Sequence, residues 1–217
     1  MTSILSTKRL NTSQMQHLLN ANLSVVHVDF ITTELLKFEP PKSIIENAIF
    51  TSQKGVQVVL DNDITIENCF CVGFRTEMLL QKNNQNVVSC KPNAKELGED
   101  IVLNYRGLKF HYFCAEKRLD TLPNKLDKNG VDWKEISVYK TVFTPKKYDQ
   151  NFDGALFFSP SGVESYFSVN ALPKHSFCIG ITTATSLKKY TKKYTVASQP
   201  SIENVIVKAV KHFKKND

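Results

Sequence analysis

The sequence repeats itself at an almost fixed spacing. AIFTSQKGV (48–56) aligns without gaps on ALFFSPSGV (155–163), an offset of 107 residues. CFCVGFRTE (69–77) aligns on SFCIGITTA (176–184) at the same offset. SCKPNAKE (89–96) matches ASQPSIEN (197–204) one residue later in register, and STKRL (6–10) matches AEKRL (115–119) at an offset of 109. A near-constant spacing across four blocks marks the duplication of one supersecondary unit. Whatever one copy folds into, the other must also fold into. The 217 residues then hold two similar bodies of ordinary domain size.

Each repeated block reads as a strand, a turn and a helix. Ala48–Thr51, Phe70–Val72, Leu156–Phe158 and Phe177–Ile179 are short apolar runs suited to strands buried on both faces. Ser, Thr and Gly follow each run, and helix-compatible segments follow those. Four of the eight glycines (55, 73, 162, 180) fall at these corners, where glycine admits positive φ or close backbone approach. Strands alternating with helices imply parallel sheets with crossover helices.

The blocks occur in the order A (1–31), B (about 44–107), A′ (108–139), B′ (about 150–217). Tandem packing would divide the chain near residue 107. Crossed packing would join A to B′ and enclose the middle as a second body. The proline-bearing segments TTELLKFEPPKS (32–43) and YKTVFTPKKYD (139–149) favour the crossed arrangement, because IVLNYRGLKFHYF near 107 reads as strand–turn–strand and not as a linker. The two crossings contain strand-compatible stretches, so they are expected to pair as an antiparallel ladder.

Composition narrows the class. At 41% hydrophobic and 23% charged, the chain is globular, with enough mass to bury a core. No apolar run approaches a membrane span, and MTSILSTKRLNTS does not read as a signal peptide. Five cysteines without C-x-x-C spacing point to a reducing compartment, read as the cytoplasm, and not to zinc. Of the net charge of +7, +6 lies between Ile181 and Asp217, where eight lysines (188, 189, 192, 193, 208, 211, 214, 215) face Glu203 and Asp217. This is either a solvated lysine-rich face or a surface for an acidic partner.

The corners carry Thr51–Ser52, Arg75–Thr76, Ser159–Ser161 and Thr182–Thr183. Singly, these are ordinary helix caps. Collected at the carboxyl ends of parallel strands, with free helix N–H groups beside them, they favour the expectation of an anion site. The sequence has no Walker A loop, no G-x-G-x-x-G fingerprint and no G-x-S-x-G elbow. The five histidines (17, 27, 111, 175, 212) show no metal spacing, with His17 and His212 on helices and His27 on a strand.

FFSPSGVESYF (157–167), CIGITTATSL (178–187), IFTSQKGV (49–56), VGFRT (72–76), ISVYKTV (136–142) and PSIENVIVKAV (200–210) together resemble the uroporphyrinogen-III synthase family. The resemblance implies an α/β fold of two flavodoxin-like parallel-sheet domains joined by a two-stranded β-ladder. One domain comprises 1–36 and 146–217, the other 37–145, with linker strands at about 32–40 and 137–145. It implies a monomeric, cofactor-free lyase that closes hydroxymethylbilane, a linear tetrapyrrole with eight carboxylates, to uroporphyrinogen III with inversion of ring D. It also implies that Thr76 and Thr183 line the cleft. Ser159, Pro160, Ser161, Gly162 and Thr182 form one carboxylate corner, and Thr51, Ser52 and Arg75 belong to the other. Tyr139 matches a tyrosine suggested to protonate the leaving hydroxyl, although it also suits simple packing in the ladder. Arg118 and Lys8 are carboxylate partners at strand ends. Gln53 where proline is usual, Glu77 where alanine is common, and Ala115–Glu116 in place of a glycine turn depart from the pattern.

Two other classes fit less of the sequence. A non-catalytic two-domain α/β module binding an acidic ligand would use the same corners. Nucleic-acid binding would rest on the lysine tail, but no aromatic-interleaved basic motif supports it.

Overall fold

The computed structural model describes residues 1–39 and 44–214. Lys215 and the prolines at 40 and 41 lie outside the described residues. The chain divides into two compact units, Met1–Thr32 with Val142–Asp217, and Thr33–Thr141.

The middle unit runs β4 (Ile44–Phe50), α2 (Gln53–Asp61), β5 (Thr65–Val72), α3 (Phe74–Lys82), β6 (Val87–Lys91), α4 (Ala94–Asn104), β7 (Lys109–Ala115), α5 (Thr121–Lys128) and β8 (Asp132–Phe143). The end-built unit runs β1 (Thr2–Ser6), α1 (Thr12–Leu19) and β2 (Leu23–His27). It resumes with β9 (Gly154–Phe157), α6 (Pro160–Phe167), β10 (His175–Cys178), α7 (Ile181–Leu187), β11 (Tyr194–Val196) and α8 (Ile202–Lys214). β3 (Ile31–Leu35) lies beside β8 at the edge of the middle sheet, and the Leu36 N–H donates to the Val138 carbonyl at 3.1 Å. The crossings therefore pair with each other.

The end-built sheet has the order β11-β10-β9-β1-β2, and the middle sheet has β3-β8-β7-β4-β5-β6. Numbered along its own stretch of chain, the end-built sheet reads 2-1-3-4-5, the flavodoxin order. The middle sheet reads 3-2-1-4-5 once β3 is set aside. The two orders describe one spatial arrangement. β9, β10, β11, β1 and β2 stand where β4, β5, β6, β7 and β8 stand, so one unit is the other with its chain order rotated. This is the structural form of the sequence repeat.

Strand pairing follows from burial. β9 is wholly buried, as a central strand covered on both faces must be. It pairs in parallel with β1 on one side and β10 on the other. In the middle sheet β4 occupies the same place, parallel to β5 and β7. Each sheet carries an apolar cluster on each face. Phe50, Val56, Val59 and Phe113 belong to one in the middle unit, and Phe70, Leu97, Ile101 and Leu122 to the other. Phe157, Tyr166 and Leu187, and on the opposite face Phe177, Val205 and Ala209, do the same in the end-built unit.

One local expectation is corrected. Ile101–Asn104 is the last turn of α4 and not a strand. Asn93 caps that helix through the Glu96 N–H at 3.0 Å, and Leu97 and Ile101, four residues apart, bury one face. A four-residue apolar window cannot distinguish such a helix end from a strand.

Candidate active site

In each sheet the connections diverge at one point. From β9 and β4 the chain crosses one way, and from β1 and β7 the other. In open parallel sheets the crevice at such a switch point, beyond the carboxyl ends of the strands, receives ligands.

In the middle unit, the β4–α2 corner holds Thr51 and Ser52. The Ser52 hydroxyl caps α2 by accepting the Gly55 N–H at 3.3 Å, and it lies 2.9 Å from the Tyr139 hydroxyl. The Thr51 hydroxyl lies 2.8 Å from that of Tyr112, which is buried in β7. Gly55 is required here by close approach, since a Cβ would meet the Phe113 carbonyl oxygen at 2.9 Å. Burial raises the Tyr139 phenol above its usual range, against the opposing pull of its bond to Ser52. Burial pushes Tyr112 up to about 12. Both phenols are therefore protonated at neutral pH.

The β5–α3 corner begins at Gly73, whose φ of 84° lies in the left-handed region. No side chain caps α3. Phe74 and Arg75 are exposed and Thr76 is buried. The Gln53 side-chain amide donates to the Arg75 carbonyl at 3.1 Å, so the residue that departs from the family's proline ties the two corners together. Glu77, another departure, lies half-buried in the first turn of α3.

The end-built unit repeats this construction. Ser159 caps α6 through the Gly162 N–H at 3.0 Å, with Pro160 at the first helical position. A Cβ on Gly162 would lie 3.2 Å from the Ser159 hydroxyl and 3.6 Å from that of Thr7, which donates to the Leu156 carbonyl at 2.8 Å. The second corner starts at Gly180, again with no side-chain cap on α7. Thr182 is exposed and Thr183 buried, as Arg75 and Thr76 are. Gly180 needs neither reason for glycine expected from the sequence. Its backbone is extended and the space around it is open.

Arg118 and Lys8 fare differently. Arg118 donates to Glu135 through Nε at 2.9 Å and also binds Asp120, and its guanidinium lies 5.9 Å from the centre of the Trp133 ring. It therefore already has two carboxylates of its own chain. Lys8 is exposed beyond β1, and its carbonyl accepts the Ser6 hydroxyl at 2.6 Å. Lysines 188, 189, 192 and 193 lie between α7 and β11, at the sheet edge opposite the corners. The Thr51–Tyr112 contact and the Gln53 link escaped the sequence reading. Tyr112 looks like one more apolar residue of KFHYFCA, and no spacing rule pairs positions 61 residues apart. Among the described residues, no group of three or more His, Cys, Asp or Glu is arranged to hold a metal ion, and no helix is long and apolar enough to cross a membrane.

Two rotated copies of a doubly wound sheet, each with a serine-capped and a glycine-started corner at its switch edge, define a duplicated α/β protein. The family model for uroporphyrinogen-III synthase HemD matches residues 23–206. The chain belongs to the uroporphyrinogen-III synthase family, cyclising lyases of tetrapyrrole synthesis. Solved structures share the fold. The uroporphyrinogen-III synthetase of Helicobacter pylori is 17% identical, with a TM-score of 0.75 over 98% of this chain and 100% of that one. A mutant uroporphyrinogen III synthase from the extremely thermophilic bacterium Thermus thermophilus is 12% identical, with a TM-score of 0.68 over the whole of both chains. No curated protein sequence matches significantly.

Proposed function

We propose that this chain closes hydroxymethylbilane to uroporphyrinogen III, with carboxylates received at its duplicated corners and Tyr139 as the proton donor. The observation that carries this reading is that both units present the same pair of corners. In each, one helix is capped by serine (Ser52, Ser159) and one begins at glycine with a buried threonine in its first turn (Thr76, Thr183). Unpaired N–H groups and a positive helix end favour carboxylates. Thr51, Ser52 and Arg75 serve one unit, and Ser159, Ser161, Gly162 and Thr182 the other, with Pro160 fixing the start of α6. Lys8 adds charge beyond β1. Arg118 reaches substrate by releasing Asp120, the more exposed of its two carboxylates.

The chemistry asks little of side chains. The leaving hydroxyl takes a proton from the Tyr139 O–H and departs as water, leaving an electrophilic azafulvenium ion and the Tyr139 phenolate, which takes up the proton released at the final ring closure. Ring D attacks through its substituted carbon, and the spiro intermediate fragments and recloses with the ring inverted. Tyr139 suits the first step because its phenol is held protonated and is bonded to Ser52. Positioning lowers such a barrier by several kcal/mol, and a hydrogen bond placed where charge develops contributes about 2.7–4 kcal/mol. The five free cysteines support a reducing, cytoplasmic setting. We take the working form to be a monomer, to be checked by sedimentation.

The test is to supply freshly made hydroxymethylbilane and separate the product isomers. Isomer III above the uncatalysed background supports the reading. Isomer I alone, with tight binding of the linear substrate, marks a non-catalytic polycarboxylate binder.

A further inference from the structure

The most exposed aromatic ring among the described residues stands at one of these corners. Phe74, the first residue of α3, is 70% exposed. Met78, four residues on and so on the same helical face, is 49% exposed. Both line an open depression of about 390 Å³ that Gln53, Arg75 and Lys82 share. Gln53 closes one side of it through its bond to the Arg75 carbonyl. Glu77, the carboxylate of this helix, is not among the lining residues. The result is an apolar floor rimmed by two cations. The repeat places Ile181, 74% exposed, at the position equivalent to Phe74. A large apolar residue in this exposed place is thus a property of both copies.

We infer that Phe74, with Met78, is a positioning surface for a pyrrole ring of the substrate, whose side-chain carboxylates reach Arg75 and Lys82. The charge complement favours this occupant. A ligand with flat apolar faces and acidic arms fits an apolar floor with cationic rims, whereas a purely apolar partner leaves Arg75 and Lys82 unanswered. The inference rests on the synthase reading above and adds to it a residue that reads the ring and not the carboxylates. Binding of the linear substrate then depends on the ring at position 74, and so does the conformation in which ring D closes.

The test compares Phe74→Ser, Phe74→Leu and Leu103→Ser with the unaltered chain, using freshly made hydroxymethylbilane. Leu103 is an 81% exposed apolar residue on α4 and serves as the control. Phe74→Ser is expected to raise KM roughly tenfold, the scale of one lost aromatic contact. It also raises the share of isomer I, with an unchanged melting temperature. Phe74→Leu recovers most of the KM, and Leu103→Ser changes neither KM nor isomer ratio. A Phe74→Ser variant indistinguishable from Leu103→Ser overturns the inference, as does one whose only change is in self-association by sedimentation. An unaltered chain that yields no isomer III defeats the synthase reading itself, independently of any variant.

Discussion

Tyr139 and Thr76 separate chemistry from architecture at the scale of single residues. Tyr139→Phe removes one hydroxyl and its bond to Ser52 but keeps the ring, so stability falls by only about 1 kcal/mol. With the proposed proton donor removed, kcat is expected to fall about a hundredfold, measured by stopped assays of isomer III. Thr76→Ala empties a small buried volume beside the glycine-started corner and lowers kcat/KM about tenfold while the protein remains folded. Cysteine reactivity is a further residue-scale check. Burial raises Cys69 and Cys114 to about 12 and Cys178 to about 11. In the native protein, thiol reagents should therefore label Cys90, the one cysteine that is not buried, well before the others.

Among elements, the glycines at the corners differ in what they are for. Gly55→Ala drives a methyl against the Phe113 carbonyl and is expected to cost about 1–3 kcal/mol by denaturant unfolding. Gly180→Ala meets open space on an extended backbone and leaves the unfolding midpoint unchanged. The sequence could not distinguish these two, because close approach is set by a strand 58 residues away in one case and by nothing in the other. What it did show was the strand–corner–helix rhythm, since buried parallel strands read as apolar runs and Ser52 and Ser159 read as caps. It also singled out Thr76 and Thr183, both buried in the first turn after a glycine, through the repeated corners and the family resemblance. It misread Ile101–Asn104, where a short apolar helix end and a strand look alike. It gave no hint that Arg118 is held by Glu135, because that pairing depends on β7 and β8 lying side by side.

For the molecule as a whole, the two units should answer differently to acid. His175 stacks on His212 at 4.1 Å, bonds Thr195 at 2.9 Å and lies near Lys193. Burial first, then the charges of His212 and Lys193, lower its pKa from 6.5 to about 4. The unfolded chain then takes up a proton before the folded one. Stability contributed by neutral His175 is complete above 6.5 and is lost as pH falls to about 4. Below that, Asp153 adds a second loss, because its bonds to Lys174 and the Ser3 N–H hold its carboxyl below the usual range. Hydrogen exchange should show β10 losing protection between pH 6.5 and 4, and His175→Gln should flatten that loss.

The rotated strand order also sets a timetable for biosynthesis. β4 to β8 leave the ribosome in one stretch and can pair as they emerge. β1, in contrast, has only β2 for company until β9 is made. At ~5–20 residues per second, the interval from Ser6 to Gly154 lasts about 7–30 s. Throughout it β1 lacks the central strand that later pairs with it, and Ile4 and Leu5 lack the residues of α6, α7 and α8 that later bury them. The N-terminal segment is thus the nascent chain's exposed liability and the place where a holding chaperone would act, while the middle unit assembles strand by strand.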